Sequence, residues 1–446
     1  MSGTGSIARM PSPPDAAGAP ERFWVETLGC PKNQVDSDRI IGSLRADGLV
    51  PAPSPDQADV VVVNTCAFIE DARQESVDTV LALSDARAPG ARVVVTGCMA
   101  ERYGDEVAEA LPEVDAVVGF GVPVTLTTKP GRAALAGRDD VPAFDLLHLP
   151  RPRADLPWAY VKIAEGCDRA CGFCAIPSFR GPQRSRSVDD VLAEIDALEV
   201  REVVLVAQDL ASFGRDQGQG ERRLVELVEA ARQRVDRVRL LYLYPSDLDD
   251  RLIEAILATG VPYFDLSLQH VSRPLLRRMR RWGSGEVFAR RIADIRALEP
   301  GAAFRSNFIV GYPGETEEDH DALLAFVEEA QLDWCGFFAY SAEPGTYAAD
   351  LDGRVPQGLA AERLAELSER QDAITAARRD ELLGARVDVL VDTPGVARSY
   401  REAPEIDGIV SVPTTLAPGT VVDVVITQAM GPDLVGRPVD AVAVRS

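Results

Sequence analysis

The chain has 446 residues, 46% of them hydrophobic, and a formal net charge of −23. That length suits two or three domains, and no apolar run is long enough to span a membrane. The acidity excludes a globally electrostatic grip on nucleic acid but leaves room for a local basic groove. Only three lysines occur (Lys32, Lys129 and Lys162), so nearly all positive charge is arginine.

Residues 1–20 are rich in Gly, Pro, Ala and Ser and lack a hydrophobic stretch. They read as a disordered lead rather than a signal peptide, which makes the cytoplasm the default location. Over 21–135, short apolar runs alternate with helical stretches. RFWVETLGC, ADVVVVNTC and ARVVVTGC read as strands, with VDAVVGFG as a fourth and helices at 36–47 and 70–86. Continuous valine runs suit strands buried on both faces of a parallel sheet, and the alternation predicts a doubly wound α/β domain. Residues 136–155, rich in Pro, Gly and charge, read as a linker. From 156 to 383 six strands are expected: AYVKIAEG, EVVLVAQD, RVRLLYLYP, YFDLSLQH, FRSNFIVGYP and WCGFFAYSA. Amphipathic helices, such as 187–199 and 221–233, separate them. Six βα units fall short of a full eight-unit barrel and predict an open, partial (β/α)6 barrel. Over 384–446, short antiparallel strands with turn residues between them predict a small β-barrel similar to an oligonucleotide-binding fold.

Six of the seven cysteines fall into two sets of three. Cys167, Cys171 and Cys174, spaced C-x3-C-x2-C, follow the first barrel strand. Four thiolates normally complete a 4Fe-4S cube. Three leave one iron with an open position that can chelate a small ligand. A zinc site with a distant fourth ligand, or three unrelated core cysteines, are the alternatives. The motif resembles the radical S-adenosylmethionine superfamily. That resemblance implies that the open iron holds the amino and carboxylate groups of the methionine moiety. One electron then releases a 5′-deoxyadenosyl radical. By the same resemblance Phe173, Gln208, Ser267, Gln269, Arg305 and Asn307 are expected contacts of S-adenosylmethionine. His270 reads equally well as a satisfied core histidine, and Gly311 and Gly314 as turn residues.

Cys30, Cys66 and Cys98 each end an expected parallel strand, in TLGC, VNTC and VTGC. Carboxyl ends of neighbouring parallel strands converge on one edge of a sheet, so three thiolates distant in sequence can meet there. Simple packing of small apolar side chains is the alternative. TLGCPKNQVDSDR, VVVNTCAFIEDARQES and VVVTGCMAERYGDE resemble the N-terminal domain of the methylthiotransferases. That family couples this domain to a radical S-adenosylmethionine barrel and a TRAM-like β-barrel, and the match runs in order from about 22 to 440. It implies a second 4Fe-4S cluster on the first trio, whose open iron carries the sulfur to be inserted. Cys335, on the last barrel strand, is expected to be structural.

GCPKNQVDSD, KIAEGCDRACGFCAIPSFRG and ARSYREAPEIDG resemble the branch that modifies an aspartate of a ribosomal protein. The tRNA-modifying branch typically reads Cys-Gln-Met-Asn where this chain has Cys30-Pro31-Lys32-Asn33. Leu210, Ala211 and Ser267 depart from commoner family forms. Residues 384–446 hold five arginines, no lysine and eight acidic residues. An acidic barrel repels tRNA phosphates and suits an Arg/Lys-rich protein. The expected activity is therefore methylthiolation of an aspartate in a small-subunit ribosomal protein, free or in the assembling subunit, with Tyr400, Glu402, Glu405 and Asp407 as substrate contacts. The expected cofactors are two 4Fe-4S clusters and S-adenosylmethionine, with a flavodoxin-like or other low-potential electron donor. A tRNA 2-methylthio-adenosine synthase and a non-enzymatic iron–sulfur carrier are the alternatives.

Overall fold

The structure, a computed structural model, describes residues 20–128, 145–218 and 220–439. The expected lead up to residue 19, part of the expected linker (136–144) and residues 440–446 lie outside the described residues. No helix among those described is long and apolar enough to cross a membrane.

The N-terminal unit is a five-stranded parallel sheet in the order Val50–Pro51, Arg22–Thr27, Val60–Thr65, Arg92–Gly97, Ala116–Val117. Val60, Val61, Val62 and Val63 are each 0% exposed, as a strand covered on both faces requires. The helix expected at 36–47 runs from Pro31 to Ala46. Proline in the first turn has its φ preset and lacks an N–H that would be unpaired there anyway, so it starts the helix early. The helix Glu70–Ala86 matches its expectation. The fourth expected strand shrinks to Ala116–Val117, and the edge strand Val50–Pro51 is too short to leave a pattern.

The central unit carries six parallel strands in chain order: Trp158–Lys162, Glu202–Val206, Arg237–Leu240, Tyr263–Gln269, Ala303–Val310 and Trp334–Ala339. The third and fourth are joined by the single bridge Leu243–Leu266. Among the described residues the first and sixth do not pair, so the barrel is open. Its helices pack on Val161, Leu205, Val238, Phe264, Phe304 and Phe308, all fully buried or nearly so.

The C-terminal unit is a closed barrel in the order Arg386–Thr393, Val396–Arg398, Val410–Ser411, Asp433–Pro438, Val421–Met430. It is not wholly antiparallel: Val410–Ser411 pairs with Asp433–Pro438 in parallel. The reason is an excursion between Arg398 and Val410 that leaves the small barrel and plugs the amino end of the central one. Trp158, Tyr160, Tyr263, Trp334 and Ala403 form one apolar cluster there. Arg398 pairs with Glu202 and Asp392, the Trp334 indole donates to the Arg401 carbonyl at 2.8 Å, and the Tyr400 hydroxyl donates to the Gly301 carbonyl at 2.8 Å.

This placement corrects three expected substrate contacts. Tyr400 is committed to Gly301. Glu402 is 0% exposed, accepts from the Ser399 N–H and hydroxyl and pairs with Arg379. Asp407 accepts from the Tyr263 hydroxyl at 2.6 Å and the Ala403 N–H at 2.8 Å. Tyr400 and Asp407 hold the small barrel to the strand starts, and Glu402 holds it to the helix Gln357–Asp380 through Arg379, whereas barrel chemistry belongs at the strand ends. Glu405 alone of the four is exposed.

Candidate active site

Cys30 caps the helix Pro31–Ala46, and Cys98 opens the helix Cys98–Ala110. The glycine before each is obligatory. Gly29 and Gly97 both have φ +94°, where side chains strain. A Cβ on Gly29 would lie 2.8 Å from Cys66 Cβ and 2.9 Å from its sulfur, and one on Gly97 would lie 2.4 Å from Asn64 Oδ1. The same contact puts the Cys66 sulfur beside the Cys30 turn. Asn33 ties these turns together, donating to the carbonyls of Leu28 at 2.9 Å and Thr65 at 3.1 Å. Burial pushes the Cys66 thiol up to about 12 and raises Cys98 despite Arg180. Burial alone would raise Cys30 as well, but Lys32, the Asn33 N–H and Arg180 bring it below its ordinary value. Metal ligation takes the thiolate form, so a bound metal's positive charge would offset the cost of burial at Cys66 and Cys98.

The second trio follows the first barrel strand. Cys167 is 8% exposed, with Cys171 and Cys174 half-buried. The Arg169 N–H donates to Cys167 Sγ at 3.4 Å, and the Arg281 guanidinium donates to Cys171 Sγ at 3.4 Å. Burial pushes Cys167 and Cys174 up to about 12. A cavity of about 420 Å³ opens beside Cys171, lined also by Arg169, Asp209, Tyr244 and Arg280; that volume is in the range of small-molecule sites. Among the described residues no group of three or more His, Cys, Asp or Glu side chains is gathered closely enough to hold a single metal ion.

Both trios face one interface. Glu343, from the loop after the sixth strand, pairs with Arg73 at 2.7 Å and Arg102 at 2.6 Å, and Arg102 also donates to the Ala67 carbonyl, next to Cys66. Buried between the trios lies a charge network that the sequence did not announce. Lys162 pairs with Asp36 and Glu165, and Arg180 pairs with the same two acids. Arg180 lies six residues after Cys174 and Lys162 is one of three lysines, which are the only signals that pointed there.

Of the expected ligand contacts, Gln208 donates to Glu165 at 2.7 Å, leaving its Oε1 buried without a partner. Asn307 Oδ1 is likewise buried and unpaired. These orphaned acceptors suit a polar ligand within the barrel. Gln269 takes a left-handed φ of +71° at its strand end, Ser267 gives its carbonyl to Arg281, and Phe173 packs on the main core. Arg305 is different. It is paired with Asp265 at 3.3 Å and Asp407 at 3.4 Å, toward the plugged end. His270 is 0% exposed and accepts the Ser272 N–H at 3.1 Å on Nδ1. Cys335 sits in register with Ser306 on the sixth strand, and burial raises its thiol.

A cysteine trio at the end of the first strand of an open parallel barrel defines a radical S-adenosylmethionine enzyme, and the profile of the Radical SAM superfamily matches residues 161–327. The uncharacterized protein family UPF0004 matches 22–119, and the TRAM domain matches 383–439. The chain is 45% identical to the ribosomal protein uS12 methylthiotransferase RimO of Moorella thermoacetica, over 91% of this chain and 96% of that protein. It is 42% identical to the RimO of Saccharopolyspora erythraea, over 94% and 96%. Among solved structures it is similar to the cobalamin-dependent S-adenosylmethionine radical enzyme OxsB, with TM-score 0.45 and 12% identity, over 80% of this chain and 56% of that one. The chain belongs to the family of ribosomal protein uS12 methylthiotransferases. It is a radical S-adenosylmethionine methylthiotransferase.

Proposed function

We propose that the chain replaces a Cβ hydrogen of an aspartate in ribosomal protein uS12 with a methylthio group, giving 3-methylthioaspartate. The observation that carries this reading is the meeting of two cysteine trios across one interface, joined by a buried charge network. Cys167, Cys171 and Cys174 would hold the radical cluster, and Cys30, Cys66 and Cys98 a second 4Fe-4S cluster. When bound, these groups and S-adenosylmethionine supply the hydrogen-abstracting radical, the sulfur and the methyl group, chemistry beyond acid–base catalysis at an unactivated C–H bond.

The protein's part is placement. Gln208 and Asn307 offer buried acceptors to a polar ligand. Arg281 holds the Cys171 sulfur and the Ser267 carbonyl together. Glu343 clamps the sheet domain over the barrel mouth through Arg73 and Arg102. The acidic small barrel, with Glu405 and Asp388 exposed, favours an Arg/Lys-rich protein over tRNA. The reaction needs a low-potential electron donor, flavodoxin or a similar one, and a ribosomal substrate supports a cytoplasmic location.

Two variants test the division of labour by anaerobic turnover. A chain with Cys167, Cys171 and Cys174 changed to Ala should release no 5′-deoxyadenosine. A chain with Cys30, Cys66 and Cys98 changed to Ala should still release it and yield no methylthio product. Methylthio product from the second variant would overturn the two-cluster reading.

A further inference from the structure

The loop that carries the barrel trio ends in Arg180, whose side chain reaches across to the other trio. Arg180 is the last residue of the helix Ile176–Arg180 and is 3% exposed. Its Nη2 donates to Cys98 Sγ at 3.0 Å and to Asn33 Oδ1 at 2.8 Å. Its Nη1 donates to Asp36 and to both oxygens of Glu165, each at 3.0 Å. The guanidinium lies over the Phe120 ring, 4.1 Å from its centroid. Lys162, 0% exposed, bonds the same two carboxylates. Two cations therefore face two anions, and the one edge of Arg180 turned from the acids points at a sulfur.

That geometry has an electrostatic consequence. A 4Fe-4S cluster gains negative charge when reduced, and hydrogen bonds to its ligand sulfurs are among the terms that set its potential. Away from water such a donor acts strongly. The donor also comes from the barrel, not from the sheet domain that carries Cys98. Through Glu165 it reaches Gln208 at the end of the second barrel strand.

We infer that Arg180 is a positioning residue of the N-terminal cluster: by donating to the Cys98 sulfur from the barrel loop, it raises that cluster's reduction potential and fixes the trio against the barrel mouth. The inference rests on the reading that Cys30, Cys66 and Cys98 hold a 4Fe-4S cluster.

The test uses the full chain with Cys167, Cys171 and Cys174 changed to Ala, reconstituted anaerobically with iron and sulfide. Iron content and absorbance first show whether the remaining trio binds a cluster. A chain that takes up no iron would remove the cluster reading itself, and the role of Arg180 with it. In the loaded protein, a redox titration followed by electron paramagnetic resonance gives the midpoint potential. Arg180→Gln should lower it by at least a tenfold change in the reduction equilibrium, ~59 mV for a one-electron couple, and alter the g values. Arg180→Lys keeps the charge but loses the planar fork. It should shift the potential in the same direction by less, and it decides the matter alone if Arg180→Gln does not fold. A loaded variant that titrates at the parent's potential would overturn the inference, because a merely structural ion pair predicts no shift.

Discussion

At the scale of single residues, Gly29 shows how little space the N-terminal trio leaves. A methyl group there meets Cys66 at 2.8 Å, and the backbone is already at φ +94°. Gly29→Ala should therefore cost the N-terminal cluster while sparing the barrel one. Iron content after reconstitution should fall to about half, with 5′-deoxyadenosine release retained; full iron content would contradict the strained-turn account. His270 makes a different prediction. Burial pushes its pKa down to about 4, helped by His320 and Arg363 and opposed by Asp319. The unfolded chain has the ordinary value near 6.5, so between those values the unfolded state binds more protons. Stability is full above about pH 6.5 and falls as the pH drops toward 4, by up to about 3 kcal/mol. His270→Gln should flatten that part of the stability profile in chemical denaturation, and an unchanged slope would contradict it. The cysteines themselves were legible, because each ends an apolar run at a recognisable spacing. Asn33 and Arg180 were not: both are ordinary polar residues, and they meet across 147 positions of sequence.

Among the structural elements, the segment between Arg398 and Val410 misled the reading most. Its acidic residues look like an exposed substrate loop, yet Glu402 and Asp407 satisfy buried cations and donors of the central unit. Glu202, at the start of the second barrel strand, is 0% exposed and binds Arg239 at 2.8 Å and Arg398 at 3.1 Å. The two guanidiniums hold its carboxyl well below the usual carboxylate range against the cost of burial. Glu202→Gln leaves them short of a counter-charge and should destabilise the protein by about 3–5 kcal/mol. A shift under about 1 kcal/mol in urea unfolding would place the docking energy in the apolar cluster instead. The pairing spans 196 positions, which no local pattern reveals. Strand existence, by contrast, was clear wherever valines ran unbroken. Strand ends and the two-residue edge strands were not, because they bury too little to leave a period.

For the whole molecule, the order of domains and their joint purpose could be read from the sequence, since each carries its own pattern and the cysteine trios mark two of them. What could not be read is how they dock: Glu343 to Arg73 and Arg102, Arg180 to Cys98, and Arg398 to Glu202 are each long-range. The net charge of −23 bears on the choice of substrate. A surface of that sign attracts a basic ribosomal protein and repels tRNA at moderate salt. The most direct test is anaerobic turnover of the reconstituted enzyme with purified uS12 and tRNA present together, followed by mass spectrometry of both. The account predicts the mass gain of a methylthio group on one aspartate of uS12 and none on tRNA. That gain on a tRNA adenosine, with uS12 unchanged, would contradict it.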